Sequence, residues 1–294
     1  MLIVDPDQIA KKQLAMLKES VAQLNSTVMV VGFIASDDPP SFSYAKATRK
    51  EFTNVGFNYD LRKVKRLNLE AEIIKANADE KVHGIFIYFP VFKNQEDTYL
   101  RNLVHYTKDI EAGSLYWTRK LNTNDRSATS KDTDKKALIP CTPLAIVKVL
   151  DEIGEYGTGT LPLLGKTVTI FNRSEVIGRP LAVMMSNDGA RVLSFDENGP
   201  IEFTRGTPRE TNVDRAMALG KSHMVITGVP ELNFERIKPQ ELRADVICLN
   251  FSSENNYCEA IESHVRAFVP RIGPMTVAMC MRNTIRLFEN FHSE

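Results

Sequence analysis

Residues 166–196 constrain the fold more tightly than any other stretch of this 294-residue chain. Lys166-Thr-Val-Thr-Ile-Phe171 has the length and apolar content of a strand and runs into a polar turn, Asn172-Arg-Ser-Glu-Val-Ile-Gly-Arg-Pro180. An apolar helical segment, Leu181 to Ser186, follows; Asn187-Asp188-Gly189 ends it, and Arg191 to Phe195 reads as the next strand. A strand, a helix and a strand in about 30 residues form one β-α-β unit, half of a doubly wound nucleotide-binding fold.

The same alternation extends along the chain. Ile9, Leu14, Leu17, Val21 and Leu24 recur at helical spacing, and Val28 to Ala35 is a continuous apolar run of strand length. A polar turn, Asp37 to Pro40, leads to a helical stretch from Ser43 to Val55 closed by Gly56. Tyr59 to Val64 reads as a strand, Leu69 to Ala78 as a helix, and Gly84 to Phe89 as a buried strand stopped by Pro90. Later strands are expected at 166–171, 191–196, 223–227, 245–251 and 265–269, with a helix at Leu144 to Ile153. Such alternation implies parallel sheets covered by helices, the α/β class. Residues 118–137, polar and charged, read as an exposed loop or lobe boundary. The last helical segment, Val277 to Phe291, carries Met281, Ile285, Phe288 and Phe291 on one side and is expected to return to the first lobe. The expected architecture is an N-terminal open α/β domain, residues 1–143 joined by helix 275–294, and a Rossmann-type domain, residues 144–274.

Charge narrows the partners. Lys plus Arg and Asp plus Glu both number 37, so there is no broad basic field to hold nucleic acid or an anionic membrane. Cys141, Cys248, Cys258 and Cys280 lack the spacing of a disulfide framework or a zinc site, and no metal is expected. No run approaches the roughly 20 apolar residues that span a bilayer. MLIVDPDQIAKK has an acidic break and no signal-peptide order, so a reduced, cytoplasmic setting is expected.

The turn at 172–180 suits a pyrophosphate, which needs outward backbone N–H groups and a helix start. Asn172, Arg173, Ser174, Val176 and Gly178 build that turn, and Pro180 suits the first helical turn. The usual GxGxxG is absent, so by itself the turn also fits plain scaffolding. Asp196, 23 residues after Arg173, ends the next strand, where a carboxylate accepts both ribose hydroxyls and, with Glu197, repels a 2′-phosphate. Arg173 opposes this, since a guanidinium there could bind the phosphate of NADP. Pairing of Asp196 with Arg173, or with the ribose itself, favours NAD.

Several segments together resemble the methylenetetrahydrofolate dehydrogenase/cyclohydrolase family. They are Tyr44-Ala-Lys-Ala-Thr48, Val55-Gly56-Phe57, Gly84 to Phe92, Lys108-Asp-Ile-Glu111, Pro140-Cys-Thr-Pro143, Asn172 to Pro180, Thr227-Gly-Val-Pro230 and Gly273-Pro-Met-Thr-Val277, in family order over nearly the whole chain. The likeness is greatest to the NAD-dependent, single-activity branch, on Tyr88-Phe-Pro-Val-Phe92, Pro140-Cys-Thr-Pro-Leu-Ala-Ile-Val-Lys148 and Asn172-Arg-Ser-Glu175.

The resemblance implies oxidation of 5,10-methylenetetrahydrofolate to 5,10-methenyltetrahydrofolate with NAD, the folate lying in a cleft between lobes, and a homodimer joined at the coenzyme lobe's sheet edge. In bifunctional members a lysine lies four positions after the tyrosine and assists water attack; here that position is Thr48, and the family glutamine is Tyr88. A hydroxyl cannot supply the lysine's charge, so the resemblance implies a dehydrogenase without cyclohydrolase activity. Tyr44, Thr48 and Glu111 are the expected catalytic group. Tyr44 is expected against the folate rings, and Glu111 on the pterin N–H groups, with Asp109 as the alternative because Ala112-Gly113 departs from the pattern. Tyr88 fits a substrate contact or a core role. Pro270 and Gly273 stand in a folate loop one residue shorter than the family's, with Arg271 for a glycine. Thr142 is expected at the wall between the ligands, or simply at a helix start, and Thr227, Gly228 and Val229 on the coenzyme side. Two rivals remain: a bifunctional, NADP-using enzyme in which Lys46 or Lys50 replaces the lysine, although each is displaced from position 48 by about 200° around the helix, and a non-catalytic nucleotide-binding module.

Overall fold

The computed structural model describes residues 2–36, 38–129 and 132–293, with the side chains of Asp132 and Thr133 outside the description. By contacts the chain separates into two units: residues 1–10, 121–125 and 142–276 form one, and residues 11–120, 126–141 and 277–294 the other. A two-residue strand β1 (Leu2–Ile3) opens the first of these, and helix α1 (Pro6–Ala22) continues into the second.

The sheet of the second unit is built from β2 (Met29–Ile34), β3 (Asn58–Lys63) and β4 (Gly84–Ile87), parallel, in the order β3-β2-β4. Central β2 is buried on both faces, which is why its sequence is a continuous apolar run. Helix α2 (Pro39–Val55) lies after β2 in the chain. Its start is set by Asp38, whose carboxylate accepts the Ser41 N–H at 2.9 Å, followed by Pro39 and Pro40. Its end is set by Gly56 at φ 116°, a left-handed conformation suited to glycine. The buried stripe of α2 is Ala45, Thr48, Phe52 and Val55, at helical spacing. Helices α3 (Leu69–Ala78), α4 (Gln95–Leu103) and α5 (Leu115–Asn122) follow. Ile73 and Ala76 of α3 and Leu100 of α4 close a core with Val31, Phe33, Ile85 and Ile87.

Residues 118–137 are not one exposed loop. They complete α5 and form an antiparallel hairpin, β5 (Ser127–Thr129) with β6 (Asp132–Lys136). Ala128 is fully buried, its carbonyl accepting the Tyr116 hydroxyl at 2.6 Å, and Ala137 N–H donates to Arg126 O at 2.8 Å. Among the hairpin's described side chains only Ala128 is buried, so the sequence of this stretch looks like a solvated loop.

The other unit contains α6 (Cys141–Glu152), β7 (Thr167–Phe171), α7 (Gly178–Asn187), β8 (Arg191–Asp196), β9 (Gly199–Thr204), β10 (Thr207–Glu210), α8 (Arg215–Lys221), β11 (Met224–Thr227), β12 (Ile247–Asn250) and β13 (Ala267–Val269). Its sheet has the order β1-β13-β12-β11-β7-β8-β9-β10. Strands from β1 to β8 in that order run parallel, and β9 and β10 extend the edge antiparallel. The β9–β10 turn is Arg205-Gly206, both at positive φ (50° and 75°), the two-residue geometry that matches strand twist. Sequence periodicity misses half-exposed β9 and exposed β10, which lack an apolar run, and β1, which is only two residues long.

Helix α9 (Gly273–Phe291) ends the fold, and its later part belongs to the three-stranded unit. There Asn283 Nδ2 donates to Ile110 O at 3.1 Å and Ile139 O at 2.9 Å, and the Phe288 ring meets His83 edge-on at 5.0 Å. No described helix is long and apolar enough to cross a membrane.

Candidate active site

In the eight-stranded unit, the Asn172 side chain builds the turn after β7. Its Oδ1 accepts the Ser174 N–H at 3.0 Å and the Ser174 hydroxyl at 2.7 Å, while its Nδ2 donates to Gly228 O at 2.8 Å. One amide thus ties the β7 turn to the β11 turn. Gly178 opens α7 so close to the chain that a Cβ there would lie 2.0 Å from Asn172 O and 2.5 Å from its Oδ1. This contact is with backbone that cannot move aside, so the turn requires glycine at 178, the close approach that glycines of a GxGxxG turn permit. Val176 in the turn is exposed.

At the tip of β8 Asp196 meets Arg173. Arg173 Nε donates to Asp196 Oδ2 at 2.9 Å, and Nη2 contacts Oδ1 and donates to Gly199 O. The Asn198 N–H adds a bond to Asp196 Oδ1 at 2.8 Å. The Arg173 guanidinium beside it holds the Asp196 carboxyl below its ordinary range. The two side chains are 6% and 26% exposed, so the carboxylate keeps an open side while the guanidinium is enclosed. Arg173 Nη1 is buried with no hydrogen-bond partner among the described residues.

Asn172, Arg173, Ser174, Asp196 and Val229 line one cavity of about 670 Å³, within the size range of cofactor sites. Its walls include groups that sequence pattern marks only as core. Phe171 and Phe195 stack at 5.1 Å, and the Arg215 guanidinium lies 5.4 Å over Phe234 and 5.5 Å over Phe171. Arg215 Nε donates to Glu241 at 3.1 Å and Nη2 to Glu235 O at 2.9 Å, which fixes that wall. The cavity fits a dinucleotide: an acidic tip with lone pairs for ribose hydroxyls, an enclosed cation with an unpaired N–H, and flat apolar walls. Thr227 is buried, donating to Asn250 Oδ1 at 3.1 Å, and both backbone groups of Val229 are held by Asn256 at 2.9 Å.

In the other unit, Tyr44 and Thr48 stand one turn apart on α2 beside Tyr88, which follows β4. The Tyr44 and Tyr88 rings meet edge-on at 6.0 Å. Thr48 is 2% exposed, and its hydroxyl has no hydrogen-bond partner among the described residues. The ring of Tyr44 is half-exposed, yet burial of its hydroxyl raises the phenol above its ordinary value; Tyr88 is buried, and burial raises its phenol likewise. Lys46 and Lys50 are exposed, Lys46 with its ammonium 4.5 Å over Phe42, off the buried stripe.

Glu111 and Asp109 are separated by their surroundings. Asp109 is 4% exposed and accepts the Ser114 N–H at 2.7 Å, a bond that closes its own loop. Burial, then the Asp109 charge, push the Glu111 carboxyl up to about 8 against the pull of Arg101. Glu111 lies close enough to Tyr44 and Tyr88 for its charge to raise both phenols. The structure therefore gathers Tyr44, Thr48, Tyr88 and Glu111, and leaves Asp109 in a loop-closing place. Cys141 and Cys280, read from the sequence only as buried thiols, belong to the same neighbourhood: Cys141 Sγ donates to Ile110 O at 3.2 Å. Tyr59 joins the cluster too, and nothing in its strand pattern announces that. Pro270 and Gly273 belong to the eight-stranded unit, exposed at the end of β13 and the start of α9, with Pro270 O accepting Asn250 Nδ2 at 3.4 Å. Thr142, half-buried, sits in the first turn of α6. Among the described residues, no three His, Cys, Asp or Glu side chains gather as a metal site.

Comparison with known proteins covers both units. Residues 4–111 match the model of the tetrahydrofolate dehydrogenase/cyclohydrolase catalytic domain, and residues 140–292 that of the NAD(P)-binding domain of the same family. The chain belongs to the tetrahydrofolate dehydrogenase/cyclohydrolase family. Within it, the chain is 43% identical to a methylenetetrahydrofolate dehydrogenase [NAD(+)] of Dictyostelium discoideum, covering 89% of this chain and 86% of that one. A protein of the same name from Schizosaccharomyces pombe is 39% identical, covering 97% and 92%. The structure of the NAD-dependent 5,10-methylenetetrahydrofolate dehydrogenase from Saccharomyces cerevisiae superposes with a TM-score of 0.90 at 33% identity, covering 98% and 97%.

Proposed function

We propose that this protein oxidises 5,10-methylenetetrahydrofolate to 5,10-methenyltetrahydrofolate with NAD, and that it does not hydrolyse the product. One observation supports this: the Asn172 turn and the Asp196–Arg173 contact are fully built, and position 48 carries a buried hydroxyl, Thr48, where the family resemblance implies an amine for hydrolysis. The names of the relatives support the dehydrogenase, and the exposed positions of Lys46 and Lys50 support the loss of hydrolysis.

The chemistry explains why Thr48 suffices. A C–H bond of the methylene bridge breaks with its electron pair, and a neighbouring folate nitrogen closes the C=N bond of the cationic methenyl product. When bound, NAD supplies the hydride acceptor. No proton leaves in that step, so no base is needed at position 48. The chain's task is to bind and orient. Glu111, when ionised, accepts the pterin N–H groups, Tyr44 packs on a folate ring, and Tyr88 shapes the same wall. Asp196 accepts the ribose hydroxyls, with Arg173 holding it in place and occupied against a 2′-phosphate. Ser174, Val176 and Gly178 shape the pyrophosphate turn; Thr142, Thr227, Gly228 and Val229 border the coenzyme, and Pro270 and Gly273 the folate.

The reading extends to a homodimer formed at the exposed β10 edge, in the cytoplasm, with no nucleic-acid or membrane partner. Light scattering tests the dimer. For the activity, the test is the product formed from methylenetetrahydrofolate and NAD: methenyltetrahydrofolate should accumulate and decay only at the buffer rate. No NAD-dependent product, or decay accelerated by enzyme, contradicts the proposal.

A further inference from the structure

Tyr59 on β3 is 7% exposed and its hydroxyl lies 2.8 Å from that of Tyr88. Either hydroxyl can donate in that bond; when Tyr88 turns its proton to Ala45 O, 3.4 Å away, Tyr59 is the donor and Tyr88 the acceptor. The ring is held on two sides. Phe52 packs against it at 4.9 Å, and Gly32 on the neighbouring strand leaves it room, since a Cβ there would lie 2.3 Å from the Tyr59 hydroxyl. Beside this pair the Thr48 hydroxyl is buried and unpartnered among the described residues.

We infer that Tyr59 is a further determinant of which reaction this site performs, because it occupies the polar space and the acceptor that an amine at position 48 would require. The inference rests on the reading of Thr48 as the residue that replaces the amine. An ammonium has three N–H donors and no acceptor capacity, so inside a protein it needs oxygen atoms aimed at it. In this pocket the Tyr88 hydroxyl is already engaged with that of Tyr59 at 2.8 Å. With glutamine at 88, the Tyr59 hydroxyl would lose that acceptor and compete for the amide oxygen that should receive the new ammonium. Substituting positions 48 and 88 alone therefore leaves the lysine competing with Tyr59 for the oxygen at position 88, which weakens its hold on the charged, site-directed form. Tyr59 acts through its neighbours as a positioning residue.

The test compares T48K/Y88Q with T48K/Y88Q/Y59F and T48K/Y88Q/Y59A in the full-length chain. The readout is enzyme-dependent loss of methenyltetrahydrofolate above the buffer rate, with circular dichroism melting as the folding control. Y59F keeps the ring packing and removes only the competing donor. It should hydrolyse about tenfold faster than the double variant, the factor carried by one competing hydrogen bond, and Y59A should hydrolyse at least as fast. Equal rates in the double and the folded triple variants, whether high or at the buffer rate, overturn the role of Tyr59. Hydrolysis by the unaltered enzyme overturns instead the reading of Thr48, a failure visible without any variant.

Discussion

Replacing Asp196 with serine should turn coenzyme preference toward NADP. The carboxylate is 26% exposed and makes two contacts with a guanidinium that is 6% exposed. Serine leaves Arg173 with only the Gly199 carbonyl among these partners. A charged group that loses such bonds costs roughly 1.5–3 kcal/mol of stability, below the cost for a fully enclosed pair because Asp196 is partly solvated. For NAD the lost acceptor of the ribose hydroxyls is worth a similar amount, roughly 1.5–3 kcal/mol, or about 10- to 150-fold in Kd. For NADP the sign reverses: the 2′-phosphate replaces the carboxylate as partner of Arg173, and two repulsive neighbours, Asp196 and Glu197, become one. The ratio of the two dissociation constants should move by about 100-fold, read by titration calorimetry of each coenzyme. A ratio that moves less than about threefold in a folded D196S protein refutes the reasoning.

Glu111 gives a pH signature. With the carboxyl raised by burial to about 8 from its ordinary 4.5, the free enzyme carries it protonated at neutral pH, and acceptance of the pterin N–H groups requires loss of that proton. kcat/KM for the folate should therefore climb from pH 6.5 to about 8.5 and level off, and E111Q should be low and flat. The linkage sign is equally definite: between 4.5 and about 8 the folded state holds a proton that the unfolded chain releases, so stability falls as pH rises through that window. The Tm gain of E111Q over the unaltered protein should be larger at pH 9 than at pH 5. Gly178→Ala drives a Cβ to within 2.0 Å of Asn172 O, so it should cost about 1–3 kcal/mol by overpacking and raise KM for NAD more than KM for the folate; equal effects on both would argue against the turn as a coenzyme element. Thr48→Val removes a buried hydroxyl with no partner among the described residues and should leave stability unchanged or raise it by about 1 kcal/mol in urea unfolding.

The legible parts of this fold are those buried on two sides. Central strands such as Val30 to Ile34 and Val168 to Phe171, and the α2 stripe of Ala45, Thr48, Phe52 and Val55, advertise themselves because burial dictates residue type at each position. Strands β9 and β10 escape because they extend an edge, where polar residues such as Glu202 and Arg209 satisfy solvent as well as the sheet. The hairpin formed by β5 and β6 escapes for the same reason: among its described side chains, Ala128 is the buried one. At the site, Asn172, Gly178 and Asp196 stand at strand and helix ends that the β-α-β pattern locates. The bond between Asp196 and Arg173 follows from their meeting at the end of one strand pair. Tyr59 and Arg215 could not be found that way. Each acts through a partner on a different element, Tyr88 for one and Phe234 for the other, and no local spacing encodes such a meeting.

The central claim is an NAD-dependent dehydrogenase that stops at the methenyl product, and one parallel measurement tests it most directly. Initial rates with 5,10-methylenetetrahydrofolate would be recorded with NAD and with NADP, while the methenyl product is followed in the same cuvettes. The account predicts kcat/KM for NAD at least about tenfold above that for NADP, in line with one charge-assisted contact, and product that persists at the buffer rate. No turnover with either coenzyme, a preference for NADP, or product consumed as it forms would contradict it.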